Sequence, residues 1–203
     1  MTLNKREAQR GATKAAILQA ASEEFDARGY AGTAISDIAN RLDLTKGSVY
    51  FHFPSKALLA IEIVDRYFSA WVPMLEEVES RGLSGLTAIR WVSEQAAASY
   101  RDNATIRASV RLMREASLID AEMPTPFVDW MENTHRWLIQ ARDAGELRDG
   151  LDLEDAAWHI VAVFHGIQEV ASRLGECAQL ASKNATIWSL LLKGIESGNE
   201  TKA

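Results

Sequence analysis

The sequence has little proline and glycine, a single cysteine, and no long apolar run without charges. Four prolines and twelve glycines among 203 residues, with little strict alternation of apolar and polar residues, favour a helical protein over a sheet protein. Cys177 has no second cysteine with which to form an internal disulfide, which fits a reducing compartment. The uncharged stretch at 156–168 is too short for a bilayer, which needs about 20 apolar residues. Because the N-terminus also lacks the apolar core of a secretory signal, the expected location is the cytoplasm.

Charge is divided unevenly along the chain. The whole chain is 47% hydrophobic, ample for a buried core, and carries a net charge of -6. Residues up to Lys56 include eight basic and six acidic side chains, whereas the remainder includes 14 basic and 22 acidic ones. A mildly basic N-terminal part on an acidic body is typical of a DNA reader with a separate sensing or dimerising body.

Three helices, the second and third of them short, are predicted in the first fifty residues or so. The first runs from about Gly11 to Gly29, where glycine suits a left-handed end. The second is centred on Ile38, and the third follows Thr45 as N-cap and ends before Pro54. Ser55 then caps a long fourth helix, which Pro73 is expected to kink rather than end. The spacing predicts a helix-turn-helix, whose second helix can enter a major groove of DNA.

The rest of the chain predicts five more helices, near 85–100, 105–116, 127–144, 153–174 and 179–196. The helix at 153–174 is apolar over more of its circumference than one buried face needs, so it must be covered from two sides. The core can cover one side and a second subunit the other, with the last helix as part of the interface. A central helix of a monomer is the alternative. We expect an all-α homodimer, with a DNA-binding domain at 1–54 and a ligand-binding and dimerisation domain at 55–203.

The third helix carries the chemistry expected of a DNA contact. Its residues offer hydroxyls, a cation and ring donors near a helix start that attracts phosphate; they are Thr45, Lys46, Ser48, Tyr50 and His52. A glycine inside a helix costs about 1 kcal/mol relative to alanine, so Gly47 should offer an advantage elsewhere. We expect that advantage to be close approach of the backbone to DNA. Phe51 and Phe53 are expected in the core.

The stretch TAISDIANRLDLTKGSVYFHFPSKALL resembles the N-terminal signature of the TetR family of bacterial repressors, over about residues 11–59. The resemblance implies phosphate contacts by Thr33, Lys46, Tyr50, His52 and Lys56. It also implies positions near base edges for Thr45, Ser48 and Val49. Asp43 stands where the family's turn usually has glycine; aspartate tolerates left-handed geometry, but its carboxylate near DNA would reduce affinity.

A narrower resemblance covers parts of the body. The pieces DAEMPTPFVDW, VDRYFSAW and FHGIQEV are similar to those of the actinomycete autoregulator receptors, which sense γ-butyrolactones, butenolides or alkyl-furan carboxylic acids. The resemblance implies ligand contacts by Trp130, at a cavity-lining tryptophan of that branch, and by Phe164 and His165. The resemblance also implies a ligand contact by Tyr67, which replaces a frequent glutamine, while His165 replaces a frequent threonine. A neutral histidine would hydrogen-bond a lactone carbonyl, whereas a protonated one would pair with a carboxylate, and the second option favours a furan-type acid. A tyrosine at position 67 is also more similar to the furan receptors.

Two other function classes have weaker support. An enzyme would have to use His135, His159, His165 or Cys177, but their spacing forms no metal, nucleophile or phosphate-cradling motif, and we expect neither a cofactor nor a catalytic site. A buried, inert thiol is the expected state of Cys177. A helical protein-interaction module would not need the combination of Gly47 with Lys46, Tyr50 and His52. Four other tryptophans are expected in the core; they are Trp91, Trp137, Trp158 and Trp188.

Overall fold

The computed structural model describes residues 2–125 and 127–197, and the regular elements in this part of the chain are helices. The ten α-helices are α1 (Thr2–Gly32), α2 (Ile35–Arg41), α3 (Lys46–His52), α4 (Lys56–Ser69), α5 (Trp71–Ser80), α6 (Gly85–Asp102), α7 (Ala104–Arg114), α8 (Val128–Asp143), α9 (Leu153–Leu174) and α10 (Leu180–Ile195). The all-α prediction is confirmed. None of the described helices has the length and apolarity needed to cross a membrane.

The helices form two compact units. The first comprises Met1–Trp71 with Asn103–Pro124, and the second comprises Val72–Asp102 with Thr125–Ala203. In the first, α7 packs on α1 and α4, although the sequence assigned its residues to the body. The division at residue 54 into a DNA-binding and a ligand-binding domain remains a prediction. The compact units show which helices pack together, not which of them bind DNA or a ligand.

The core of the first unit forms where α1, α2, α3, α4 and α7 meet. Its fully buried apolar side chains include Ile17, Phe25, Ile38, Val49, Leu59 and Leu112. α7 is tied to α4 through the Ser109 hydroxyl, which donates to the Ile63 carbonyl at 2.8 Å. This core fixes the orientation of α3, the helix expected to enter DNA.

The core of the second unit lies among α6, α8, α9 and α10. Leu138, Leu180 and Trp188 are its largest fully buried side chains. The entry to α6 is fixed by Glu146, whose Oε2 accepts from the Leu86 backbone N–H at 3.0 Å.

Two helix boundaries differ from the prediction. α1 begins at Thr2, well before Gly11. The predicted continuous fourth helix is wrong, since α4 ends at Ser69 and α5 begins at Trp71. Pro73 explains the interruption: it has no N–H to bond the Ser69 carbonyl four residues earlier, and in the first turn of α5 that N–H is not needed.

Three expected core residues lie elsewhere. Phe53 is 3% exposed, as expected, but Phe51 is 67% exposed. Trp137 and Trp188 are buried and Trp91 is partly buried, whereas Trp158 is more than half exposed. Cys177 is partly exposed rather than buried. Periodicity alone did not separate these residues, because both faces of a short or peripheral helix can carry aromatic side chains.

The end of α1 is held against α7 by a network that we call the Gly29 clamp, formed by Asp26, Gly29, Tyr30, Arg111 and Glu115. The Tyr30 backbone N–H donates to Glu115 Oε2 at 2.6 Å, and Arg111 donates to the Asp26 carbonyl at 2.8 Å. Gly29 has φ 73° and ψ 179°, which confirms the left-handed φ expected there. Because Gly29 has no Cβ, the side chains of Glu115 and Arg111 can pack directly against its backbone.

Candidate DNA-binding surface and ligand site

The turn between α2 and α3 is built by local capping. Asp43 adopts φ 54°, so aspartate provides the left-handed residue where a glycine is usual. The Leu44 N–H donates to the Ala39 carbonyl at 2.9 Å. Thr45 Oγ1 then accepts from the Ser48 N–H at 3.1 Å and caps α3. Both the turn and the predicted N-cap are confirmed, and together they fix where α3 begins.

α3 presents one face outward, with Gly47 and Phe51 at its centre. Val49 is fully buried, and successive residues of an α-helix are about 100° apart, so Gly47 and Phe51 both point about 160° away from Val49. Gly47 and Phe51 are exposed. The bare backbone at Gly47 therefore lies on the outermost side of the helix.

The protein's own packing does not require a glycine at position 47. A Cβ placed there would meet only Thr45 Oγ1, at 3.7 Å, an ordinary van der Waals distance. Gly47 also lies outside the positive-φ glycines of the chain. The advantage of glycine at this position must therefore come from something that approaches α3 from outside.

The predicted DNA-contacting residues fall into three groups by exposure. The exposed ones are Thr45, Lys46, Gly47 and Tyr50. Those that are partly buried are Ser48, His52 and Lys56. The fully or almost fully buried ones are Thr33 and Val49. The structure thus brings most of this set to one accessible surface, and two of its members to the interior.

The two buried members serve the fold. Val49 lies in the core of the first unit and does not reach the surface, so the structure does not place it near a base edge. The Thr33 hydroxyl donates to the Gly29 carbonyl at 2.8 Å and lies 3.2 Å from the Glu24 carbonyl. A phosphate contact by Thr33 stays a prediction, and in this structure its hydroxyl already has internal partners.

The surroundings of two partly buried basic side chains, Lys56 and His52, shift their pKa values. The Lys56 ammonium lies 4.1 Å from the centroid of the Tyr30 ring, and burial lowers its pKa. Burial and the nearby charges of Arg10 and Lys14 lower the pKa of His52. His52 therefore favours its neutral form near pH 7, in which it can still donate one ring N–H.

The predicted ligand residues of the second unit lie together as an aromatic cluster. The Trp130 and Phe164 ring centroids are 4.4 Å apart, and that of His165 lies 5.1 Å from Trp130. Phe127 joins the cluster at 4.3 Å from His165, a contact that the sequence analysis missed although Phe127 belongs to the Pro-Phe pair. Trp130 and Phe164 are buried. These rings therefore form the contact between α8, which carries Trp130, and α9, which carries Phe164 and His165.

Polar atoms without partners flank this aromatic cluster. Thr134 is one helical turn after Trp130, and Gln168 is one turn after Phe164. Thr134 Oγ1 and Gln168 Oε1 are buried and have no hydrogen-bond partner within the described residues. Buried polar groups are normally hydrogen-bonded, so such atoms beside an aromatic pair are suited to a ligand or a water molecule. Gln168 lies within the FHGIQEV piece, but the sequence analysis assigned a role to neither residue.

Tyr67, the remaining predicted ligand residue, lies on α4 in the first unit. Its ring packs edge-on against Phe68 and Trp71, with centroids at 5.4 and 6.1 Å. Burial raises its pKa to about 12, so the hydroxyl stays protonated at neutral pH and can donate a hydrogen bond. Its contribution to the ligand site stays a prediction.

A wide apolar groove lies between α9 and α10, on the side of α9 that faces away from the core. It has a volume of about 640 Å³, and its apolar lining includes Val163, Ile167, Val170, Ile187 and Leu190. Val170 and Leu190 are more than half exposed. The wide apolar arc predicted for α9 is present: one side packs inward through Ile160 and Phe164 while the other side lines this groove.

The remaining histidines do not form a metal site. His159 is exposed, with Nδ1 2.8 Å from the Asp155 carbonyl, and His135 is partly buried. Across residues 2–125 and 127–197, no group of three or more His, Cys, Asp or Glu side chains is placed to hold a metal ion.

Known protein families match both the N-terminal and the C-terminal part of the chain. A family model described as bacterial regulatory proteins, tetR family, matches residues 17–63. A second, described as tetracyclin repressor-like, C-terminal domain, matches residues 84–196. The A-factor receptor protein of Streptomyces griseus is 36% identical over 179 residues, which are 88% of this chain and 62% of that protein. The chain therefore spans about three fifths of the length of that relative.

Solved structures are similar over most of the chain. One described as the molecular basis for control of antibiotic production by a bacterial hormone has 39% identity and a TM-score of 0.80, covering 91% of this chain and 98% of that one. Another is CprB from Streptomyces coelicolor in complex with its operator sequence. It has 26% identity and a TM-score of 0.84, covering 94% and 92% of the two chains.

Proposed function

The chain belongs to the TetR family of bacterial regulatory proteins, and we propose that it is a cytoplasmic, homodimeric repressor that a small signalling molecule releases from its DNA operator. The observation that carries the proposal is the outward face of α3, where a glycine that the fold does not need is surrounded by a cation and hydroxyl groups. Its relatives are regulators, so we assign it no catalytic activity.

The DNA contact is built on α3. Gly47 allows the helix backbone to approach the duplex, and Lys46 and Tyr50 flank it with a charge and a hydroxyl suited to phosphate oxygens. Thr45 and Ser48, at the N-terminal end, would read base edges, because recognition helices contact bases with their first residues. The similarity to CprB, whose structure was solved in complex with its operator sequence, supports the same role here.

Dimerisation would occur through the groove between α9 and α10. Val170 and Leu190 would lose their exposure to water when a second copy packs there, and apolar burial is the main driving force of association. Two α3 helices held by such a dimer would enter successive major grooves, about 34 to 36 Å apart.

The ligand would bind at the aromatic cluster. Trp130 and Phe164 offer apolar surface for an acyl or alkyl chain, and the Gln168 side-chain oxygen offers an acceptor for a ligand hydroxyl. The motifs around Trp130 and His165 favour a γ-butyrolactone, a butenolide or an alkyl-furan carboxylic acid. A protonated His165 would pair with the carboxylate of the furan acid, which is the reason for preferring that class.

Release needs a ligand that binds one dimer geometry more tightly than another. In the geometry that the ligand favours, the distance between the two α3 helices would no longer match the distance between successive major grooves. Operator affinity would then fall by the ratio of the ligand's affinities for the two geometries. Such coupling is typically 1 to 3 kcal/mol, or about 5- to 150-fold.

A gel-shift assay tests the proposal with the DNA upstream of the protein's own gene. We expect a retarded band that one of three added compounds abolishes: a butyrolactone, a butenolide or a furan acid. Lys46→Ala should weaken the band without changing ligand release. Retention of the band at all ligand concentrations would reject the ligand class, whereas absence of binding both to this DNA and to a duplex of unrelated sequence would reject the DNA-binding role.

A further inference from the structure

We propose that Arg6 and Arg10 on α1 form a second DNA-contacting element, which binds backbone phosphates beside the groove that α3 enters. This inference rests on the proposed DNA-binding function and adds to it a site outside the helix-turn-helix. The partner is the sugar-phosphate backbone, so the contact is independent of base sequence.

The first support is the position of Arg10 relative to the outward face of α3. Its guanidinium lies 5.1 Å from the centroid of the Phe51 ring. Phe51 is 67% exposed and follows Gly47 by one turn on the same face of the helix. A cation on α1 is therefore held at the edge of the surface expected to meet DNA.

The second support is the periodicity of α1. Arg6, Arg10 and Lys14 are each separated by four residues, so they form one stripe on the helix, with about 6 Å of rise between successive members. Lys14 lies over the Phe53 ring at 5.4 Å, and Arg10 lies over Phe51. Arg6 continues the stripe by one more turn, at the end where α1 extends beyond its predicted start.

The third support is that the positive charges of Arg6 and Arg10 are not neutralised by ion pairs within the part of the chain that the structure describes. Lys14 pairs with Glu62 at 3.1 Å, and Arg41 pairs with Glu24 at 3.0 Å. Arg6 and Arg10 are exposed, and neither forms an ion pair with any side chain that the structure describes. Burial lowers the pKa of His52, and the positive charge of Arg10 lowers it further, which fits the same exposed charge. Phosphate is the anion that a guanidinium binds in bidentate geometry.

The experiment measures how DNA affinity depends on salt. Fluorescence anisotropy is recorded with two labelled duplexes of unrelated sequence, each of about three helical turns, between 50 and 200 mM salt. The unmodified protein is compared with the double variant Arg6→Ala/Arg10→Ala. Lys46→Ala serves as the reference for removal of a cation from α3. Arg81→Ala is the matched control, since Arg81 also lies over an aromatic ring, that of Trp91 at 5.1 Å, but in the second unit.

The slope of log affinity against log salt is negative, and we expect the double variant to reduce its magnitude by about 0.9 for each phosphate that is no longer neutralised, equally for both duplexes. Arg81→Ala should leave the slope unchanged. A double variant with the unmodified slope would overturn the inference, even if its affinity fell, because Arg10 would then act only by holding Phe51. Absence of binding by the unmodified protein both to these duplexes and to the DNA upstream of its own gene would instead overturn the proposed function.

Discussion

Replacing Gly29 with alanine tests the contact that holds the end of α1 against α7. The backbone at Gly29 has φ 73° and ψ 179°, a region that is almost closed to residues with a side chain and costs about 1 to 3 kcal/mol to occupy. This strain does not depend on the neighbours of Gly29, so it sets a lower limit for the effect.

The neighbours add a second cost. A Cβ at Gly29 would lie 2.5 Å from Glu115 Oε1 and 2.8 Å from Arg111 Nη2. The Glu115 carboxylate would have to move, and it would lose its 2.6 Å bond from the Tyr30 N–H. Loss of a hydrogen bond to a charged group costs about 1.5 to 3 kcal/mol. Together the two effects should lower the free energy of unfolding by about 4 kcal/mol, or the melting temperature by about 10 °C.

Urea unfolding followed by circular dichroism measures this effect, with two glycine controls. Gly11→Ala, also in α1, meets no atom within 4 Å and should stabilise the helix by up to about 1 kcal/mol. Gly82→Ala places alanine at φ 63° in open space and therefore reports strain without the clash. If Gly29→Ala destabilised the protein no more than Gly82→Ala, the clamp would contribute nothing, and the reasoning would be refuted.

Gly47→Ala should leave stability unchanged or raise it by up to about 1 kcal/mol while lowering DNA affinity about tenfold or more; unchanged affinity in an anisotropy titration would remove the case for close approach. Trp130→Phe should weaken ligand-induced release in the gel-shift assay and leave operator affinity intact, and normal release would exclude Trp130 from the ligand site. Light scattering should give about twice 22.5 kDa for the unmodified protein and a monomer for Leu190→Glu at micromolar concentration; a dimeric variant would place the interface elsewhere. Arg10→Ala should raise the pKa of His52 toward its ordinary value, because a neighbouring positive charge that disfavours the imidazolium is removed; an unshifted NMR titration would show that the two groups do not interact.

Features set by a few adjacent residues could be predicted from the sequence. Thr45 and Ser55 both cap the helices expected of them, with Oγ accepting from an N–H three residues later at 3.1 Å. Asp43 and Gly29 adopt positive φ values, which the short side chain of aspartate tolerates and the absence of a Cβ allows in glycine. Such features depend on backbone sterics and local hydrogen bonds, which follow from the identities of a few neighbouring residues.

Features that depend on distant neighbours could not be predicted in the same way. Phe51 and Phe53 differ by two positions, yet only Phe53 is buried, because α3 packs through Val49 and turns Phe51 outward. The unpartnered oxygens of Thr134 and Gln168 carry no signal in the sequence, since a missing hydrogen bond is a property of the surroundings. Arg10 was likewise overlooked, because its partner Phe51 is far from it along the chain.

The Phe51 ring has a thermodynamic consequence for recognition. An aromatic side chain that is two-thirds exposed in the unbound protein would shed its hydration when α3 meets the duplex, and removal of apolar surface from water makes the heat capacity change of association negative. Operator binding should therefore become more exothermic on warming, and truncating this one side chain should reduce that temperature dependence.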